Sequence, residues 1–146
     1  MKLILRLVMS IAVCAASVWI SAKTFAAEQG PLQWIWTAGD ATSAKTTYFR
    51  KEIKLSRPAK VTIDITADNT YELFVNGDLV GSGDNWKYVK QFDVTKRIQR
   101  GNNVIAVKAT NGEEGPAGLL ARIFVEQNGG GDVAFASNDT WRGTDE

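Results

Sequence analysis

The residues best suited to chemistry form a polar and aromatic stretch near the middle of the chain. A polar loop, 81–85, runs directly into Trp86 and Tyr88. A flat ring can stack on the apolar C–H face of a sugar, while Asn and Asp side chains hydrogen bond to its hydroxyl groups. Five side chains are therefore candidate ligand-binding residues: Asp84, Asn85, Trp86 and Tyr88, with Asn111 from the later loop 111–118.

A structural interpretation of the same aromatic residues stays open. Trp86 and Tyr88 are two positions apart, so in a strand both would lie on one face and pack into the core. The spacing favours this interpretation. Trp34 and Trp36 share the spacing and are likewise expected in the core rather than in a site.

The composition excludes several kinds of catalysis. The chain has 146 residues and no histidine, which rules out Ser-His-Asp and Cys-His pairs and histidine-ligated metals. Glu113 and Glu114 are adjacent, whereas glycoside hydrolysis needs two carboxyl groups facing each other across a substrate. We therefore expect no enzyme activity in this chain. A formal net charge of +1 gives no electrostatic basis for nucleic-acid binding.

The N-terminus carries the pattern of a secretory signal peptide, residues 1–26. Lys2 and Arg6 precede an apolar run over 7–20, and small residues surround a cut after Ala26. The expected mature domain, 27–146, is then secreted, periplasmic or at the cell surface, with no membrane span left. The run is shorter than the ~20 residues that a spanning helix needs. A retained anchor, or a lipid on Cys14, is the alternative.

Apolar and polar residues alternate through the rest of the chain, as in half-buried strands. Asn76-Gly77 follows such a stretch, 71–75, and predicts a two-residue hairpin turn. One helical turn is expected at 95–99. Further strands are predicted at 88–92, 103–110, 119–127 and 132–136. Eight or nine short strands without crossover helices predict an all-β fold, a two-layer antiparallel β-sandwich.

Two further polar motifs are also explained by chain reversals. Asp93 or Thr95 is expected to cap the short turn that begins there, because their side-chain oxygens accept from free backbone N–H groups. The segment 101–103 is expected to reverse the chain into the apolar stretch 104–107. For these motifs and for Asn76-Gly77, we expect structural roles rather than contact with a ligand.

An ordered series of short motifs extends over residues 33–142. It comprises Trp34-Ile35-Trp36, Tyr48-Phe49-Arg50-Lys51, Ala67-Asp68-Asn69, the stretch 71–77, Gly83-Asp84-Asn85-Trp86, Phe92-Asp93-Val94-Thr95 and the stretch 101–107. The series resembles the galactose-binding-like jelly-roll sandwich of bacterial α-L-rhamnosidase N-terminal domains and of sugar-binding domains in β-galactosidase-type glycoside hydrolases. The resemblance implies an exported, non-catalytic carbohydrate-binding or accessory module, with any catalytic domain elsewhere. It does not identify the ligand, because a fold does not determine function.

The resemblance has two further implications. Several carbohydrate-binding sandwiches carry a structural calcium ion bound by oxygen atoms. That option stays open here, with no ligand residue named, because the sequence shows no spaced acidic loop. The segment 137–142 resembles one that leads into further residues before the sandwich closes. The last strand is then expected to be missing, which leaves an open sheet edge prone to self-association.

Two other functions stay open. The chain could be a structural or protein-docking module without affinity for sugars, which burial of Trp86 and Tyr88 would favour. It could also be the N-terminal fragment of a larger glycoside hydrolase or surface protein.

Overall fold

The computed structural model describes residues 28–37 and 44–145. The predicted signal peptide, 1–26, lies outside these residues, so its assignment stays a prediction. Within the described ranges, the helical content is one 3₁₀ turn, Thr95–Arg97, at the predicted place. None of the described residues forms a helix with the length and apolarity needed to cross a membrane.

In the part of the chain that the structure describes, ten strands form two five-stranded sheets. Sheet I has the order β1-β9-β8-β3-β6, and sheet II has the order β10-β2-β7-β4-β5. All pairs are antiparallel except the short parallel pair of β1 with β9. The predicted all-β sandwich is confirmed. The strands are β1 Glu28–Gln29, β2 Lys45–Leu55, β3 Pro58–Asp68, β4 Thr70–Val75, β5 Asp78–Gly83, β6 Lys90–Asp93, β7 Gly101–Asn111, β8 Gly118–Gln127, β9 Val133–Ala136 and β10 Arg142–Asp145.

The core lies between the two sheets and is built from alternate residues of their central strands. On β3, Val61, Ile63 and Ile65 are fully buried, while the intervening Thr62 and Asp64 are partly exposed. Strand β8 repeats the pattern beside it. Because neighbouring side chains of a strand point to opposite faces, this alternation presents one apolar face to the core. Core side chains of the other central strands include Phe49, Ile53, Leu55, Tyr71, Leu73, Ile105, Val107, Leu119 and Ile123.

Two of the predicted turns form, whereas the expected reversal at 101–103 is wrong because these residues already belong to strand β7. Asn76 and Gly77 both have positive φ, 52° and 94°, and connect β4 to β5. The carboxylate of Asp93 accepts a hydrogen bond from the Thr95 backbone N–H at 3.0 Å. The Thr95 hydroxyl accepts one from the Val61 N–H at 3.0 Å, which ties the 3₁₀ turn to β3. These polar motifs therefore have the structural roles that we expected.

At one edge of sheet II, strand β10 pairs with residues 47–50 of β2. The expectation that a last strand is missing stays a prediction. Beyond β10, β2 continues through Lys51, Glu52 and Lys54, and charged side chains discourage edge-to-edge pairing. Self-association through an edge stays a prediction.

Buried Asn103 connects the hairpin turn to the segment after the 3₁₀ turn. Its Oδ1 accepts from the Gln99 N–H at 2.9 Å and from Asn76 Nδ2 at 3.0 Å. Its Nδ2 donates to the carbonyls of Gln99, at 2.8 Å, and Gly101, at 3.1 Å. A single amide thus satisfies several backbone groups at one end of the sandwich.

Replacing Asn103 by Ala is expected to lower the free energy of unfolding by about 2–3 kcal/mol, because buried polar groups lose their partners. Asn102, the exposed neighbour, provides the matched control, and Asn102→Ala is expected to change stability by no more than about 0.5 kcal/mol. Urea denaturation measures both. Equal losses for the two variants would contradict this role of Asn103.

Candidate functional site

Trp86 and Tyr88 lie on the surface, in the loop 84–89 between β5 and β6. Their exposed fractions are 47% and 69%. The interpretation that they pack into the core as one face of a strand is therefore wrong. Strand β6 begins only at Lys90, so the two-residue spacing of these aromatics falls in a turn rather than in a strand.

The backbone of this loop is anchored to sheet I. The Thr66 hydroxyl, on the outer face of β3, donates to the Trp86 carbonyl at 3.0 Å. The Asn85 side-chain oxygen accepts from the Lys87 N–H at 3.0 Å, and the Tyr88 N–H donates to the Asn85 carbonyl at 3.2 Å. These bonds fix the turn while the two rings project outward. Preorganised rings lose little conformational freedom when they bind a ligand.

The candidate polar residues of this loop have different surroundings. Asn85 uses its side-chain oxygen within the turn. Asp84 is exposed and lies at the end of β5 beside buried Tyr71. Burial, followed by the negative charge of Asp84, raises the pKa of Tyr71 to about 12. Asp84 therefore lies on the side of the loop next to β4 and β5, whereas the amide of Asn85 shapes the turn.

Asn111 does not join the surface around Trp86. Its side chain is 2% exposed, at the end of β7, and its Nδ2 donates to the Gly115 carbonyl at 3.3 Å. The amide therefore supports the loop 112–117 from inside. Its inclusion among surface ligand-binding residues is wrong, because β7 places position 111 on the core side.

Trp34 and Trp36 have different environments, although both were expected in the core. Trp36 packs partly against the core, with its ring centroid 5.6 Å from that of Phe49. Trp34 is 50% exposed. Its ring covers Gly118, where an added Cβ atom would lie 2.7 Å from Trp34 Cε3. The core expectation is therefore wrong for Trp34, which is a surface residue on the outer side of β8.

A groove crosses the outer face of sheet I between Leu32 and Val89. It has a volume of about 180 Å³, and Asp64, Leu120 and Arg122 form its floor. Leu32, from the segment 31–34, and Val89, from the loop 84–89, are its walls. Among the described residues, these two segments carry five of the six exposed large hydrophobic side chains: Leu32, Trp34, Trp86, Tyr88 and Val89. Such a concentration of exposed apolar surface is typical of a binding site.

Asp68 and Asn69 extend the polar part of this surface, and sequence reasoning did not select them as site residues. Asp68 is the register partner of Gly118, which Trp34 covers. Asn69 donates from Nδ2 to Asp68 Oδ1 at 2.9 Å and accepts from the Gly112 N–H at 2.8 Å. A carboxylate thus lies beside an exposed ring. The available signal was the position of this polar pair directly after the apolar alternation of 61–67.

Within the described ranges, the remaining charged groups form no cluster suited to a metal ion. Glu113 and Glu114 are exposed neighbours in the loop 112–117. Among residues 28–37 and 44–145, no three Cys, Asp or Glu side chains lie together in a group that could hold a metal ion. We therefore assign no calcium ligand. Lys87 lies over the Trp86 ring, with Nζ 5.7 Å from its centroid, and adds positive charge beside the aromatic surface.

The comparisons with known proteins point to glycoside hydrolases and lectins. No protein-family model matches the chain. The α-L-rhamnosidase of Streptomyces avermitilis is 31% identical to it over 141 residues, which cover 87% of this chain and 14% of that enzyme. The chain therefore spans about one seventh of the length of this curated relative.

Solved structures show the same similarity. The Streptomyces avermitilis α-L-rhamnosidase complexed with L-rhamnose superposes with a TM-score of 0.72 and 29% identity, covering 79% of this chain and 12% of that one. The apo Pleurotus ostreatus lectin has a TM-score of 0.71 and 29% identity, and the match covers 79% of this chain and 35% of the lectin. The same lectin in complex with GalNAc has a TM-score of 0.71 and 26% identity, and the match covers 77% of this chain and 35% of the lectin. The resemblance to the galactose-binding-like sandwich is confirmed.

Substituting Trp86 by Ala is expected to lower the free energy of unfolding by about 1–2 kcal/mol, because about half of its surface is already exposed. Trp141 is the matched control. It is 7% exposed and its Nε1 donates to the Ala136 carbonyl at 3.0 Å, so Trp141→Ala should cost about 3–5 kcal/mol. Urea unfolding compares the two. A similar, large loss for both would show that the Trp86 ring is part of the core.

The raised pKa of Tyr71 predicts a loss of stability in alkali. Its ordinary value is about 10, so between roughly pH 10 and 12 the unfolded chain releases a proton that the folded chain keeps. The stabilisation is complete below about pH 10 and is lost as pH rises through this window. Urea unfolding at several pH values should show a smaller decline for Tyr71→Phe than for the wild type. An identical pH dependence of both proteins would contradict the assignment.

Proposed function

We propose that this domain is an exported, non-catalytic carbohydrate-binding module, and that Trp86 and Tyr88 provide its stacking surface. The observation that carries the proposal is the outward projection of both rings from a loop whose backbone is anchored to sheet I. Stacking on the C–H face of a sugar requires such a ring.

Polar groups of suitable chemistry belong to the same loop and to the outer face of sheet I. Asp84 and Asp68 supply carboxylates that accept hydrogen bonds from hydroxyl groups, and Lys87 supplies donors. The similarity to a lectin, solved also with GalNAc, and to an α-L-rhamnosidase solved with L-rhamnose, supports a carbohydrate as the ligand class. In this proposal the reaction of a glycoside hydrolase belongs to a separate catalytic domain.

Export is part of the same proposal. The pattern of residues 1–26 supports a cleaved signal peptide, which would place the domain where extracellular glycans are found. The protein-docking alternative depended on burial of Trp86 and Tyr88, and their exposure removes that support.

The test is calorimetric titration of the domain with L-rhamnose, galactose, GalNAc and oligosaccharides that contain them. Calcium chloride is present, so that a requirement for this ion does not hide binding. Trp86→Ala is expected to weaken the binding of any responding sugar about tenfold, since 1.4 kcal/mol corresponds to that factor. Leu79→Ala is the matched control, because Leu79 is 54% exposed on sheet II and should not change affinity. Absence of binding by the wild type, or equal affinities for the two variants, would overturn the proposal.

A further inference from the structure

We infer that Trp34 is a second stacking surface beside Trp86 on the outer face of sheet I, so that the ligand is an oligosaccharide lying across this sheet. This inference rests on the proposed function and concerns the length of the ligand. The two rings come from distant parts of the chain, the segment 31–34 and the loop 84–89, and one further residue of each, Leu32 and Val89, lines the groove on this face.

Sheet register places the two tryptophans near one another. Trp34 covers Gly118, which pairs with Asp68. The Trp86 carbonyl is held by Thr66, which pairs with Leu120. Both contacts lie on the outer face of the adjacent strands β3 and β8, two residue pairs apart. That is about 7 Å along the strands, a separation that a short run of sugar rings spans.

The two rings have similar exposure, 50% for Trp34 and 47% for Trp86. Each therefore has one part packed on the protein and another part open to solvent. A monosaccharide can stack on one of them, whereas a chain of sugars that crosses the groove can contact both. The second contact should then appear only with ligands above a certain length.

The groove floor, next to the Trp86 contact at Thr66, offers hydrogen-bonding groups along the same outer face of sheet I. Asp64 accepts from Gln91 Nε2 at 2.7 Å and pairs across the strands with Arg122. Carboxylate, amide and guanidinium groups in a row match the hydroxyl groups of a carbohydrate. A purely apolar partner, such as a hydrophobic protein segment, would displace water from these polar groups without supplying hydrogen bonds in its place.

The experiment titrates the wild type, Trp34→Ala and Trp86→Ala with one responding sugar as monosaccharide and as oligosaccharides of increasing length. Wild-type affinity should rise about tenfold between the monosaccharide and the longer chains. Trp34→Ala should lose the rise in affinity with ligand length and keep the monosaccharide affinity. Trp86→Ala should weaken the binding of every ligand. Leu79→Ala is the control, and circular dichroism confirms that each variant is folded.

Each outcome decides the inference. A wild-type affinity independent of ligand length, or a gain with length that survives in Trp34→Ala, would overturn it while the proposed function stands. A wild type that binds no saccharide would instead refute the proposed function. A Trp34→Ala variant that is unfolded would be replaced by Trp34→Phe, which keeps a smaller ring over Gly118 and should retain part of the gain.

Discussion

The two-residue repeat of side chains along β3 is the constraint on which both the fold and the candidate site depend. Its inward residues, from Val61 to Ala67, fill the core, and its outward residues form the floor and anchor of the groove. Thr66 is the clearest case: it points away from the core, yet it is buried, because the loop 84–89 lies over it. A shift of β3 by one residue would exchange these two faces and remove the groove together with the core.

Most of the fold could be predicted from the sequence because its signals are local. Alternation, the Asn76-Gly77 turn and the short turn after Asp93 each depend on a few neighbouring residues, and the structure forms all of them. The pairing of β10 with β2 was not predicted. It joins residues that are far apart in sequence, and no local sequence pattern predicts which sheet edge a terminal strand will pair with.

The site was predicted less completely, because exposure depends on what a distant segment covers. A two-residue spacing has one meaning in a strand and another in a loop, so Trp86 and Tyr88 could not be placed by spacing alone. Asn111 has the composition of a binding residue but lies on the core side of β7. Trp34 became a surface residue because Gly118 has no side chain and leaves room for the ring. Residue types identified the chemistry, and packing decided which of them reach the surface.

The two walls of the groove differ in how they are attached. The loop 84–89 is continuous at both ends with paired strands of the sandwich. The segment around Trp34 is attached through Gln33, whose N–H donates to the Ser137 carbonyl and whose carbonyl accepts from the Ser137 hydroxyl. Ile35 and Leu119 exchange two further hydrogen bonds. Few bonds must break to detach this wall, so its opening requires less free energy than unfolding of the domain. A ligand that contacts both walls would thus slow hydrogen exchange at the backbone amides of Gln33 and Ile35. The firmly held loop 84–89 and the more weakly held segment around Trp34 would together set the width of the groove.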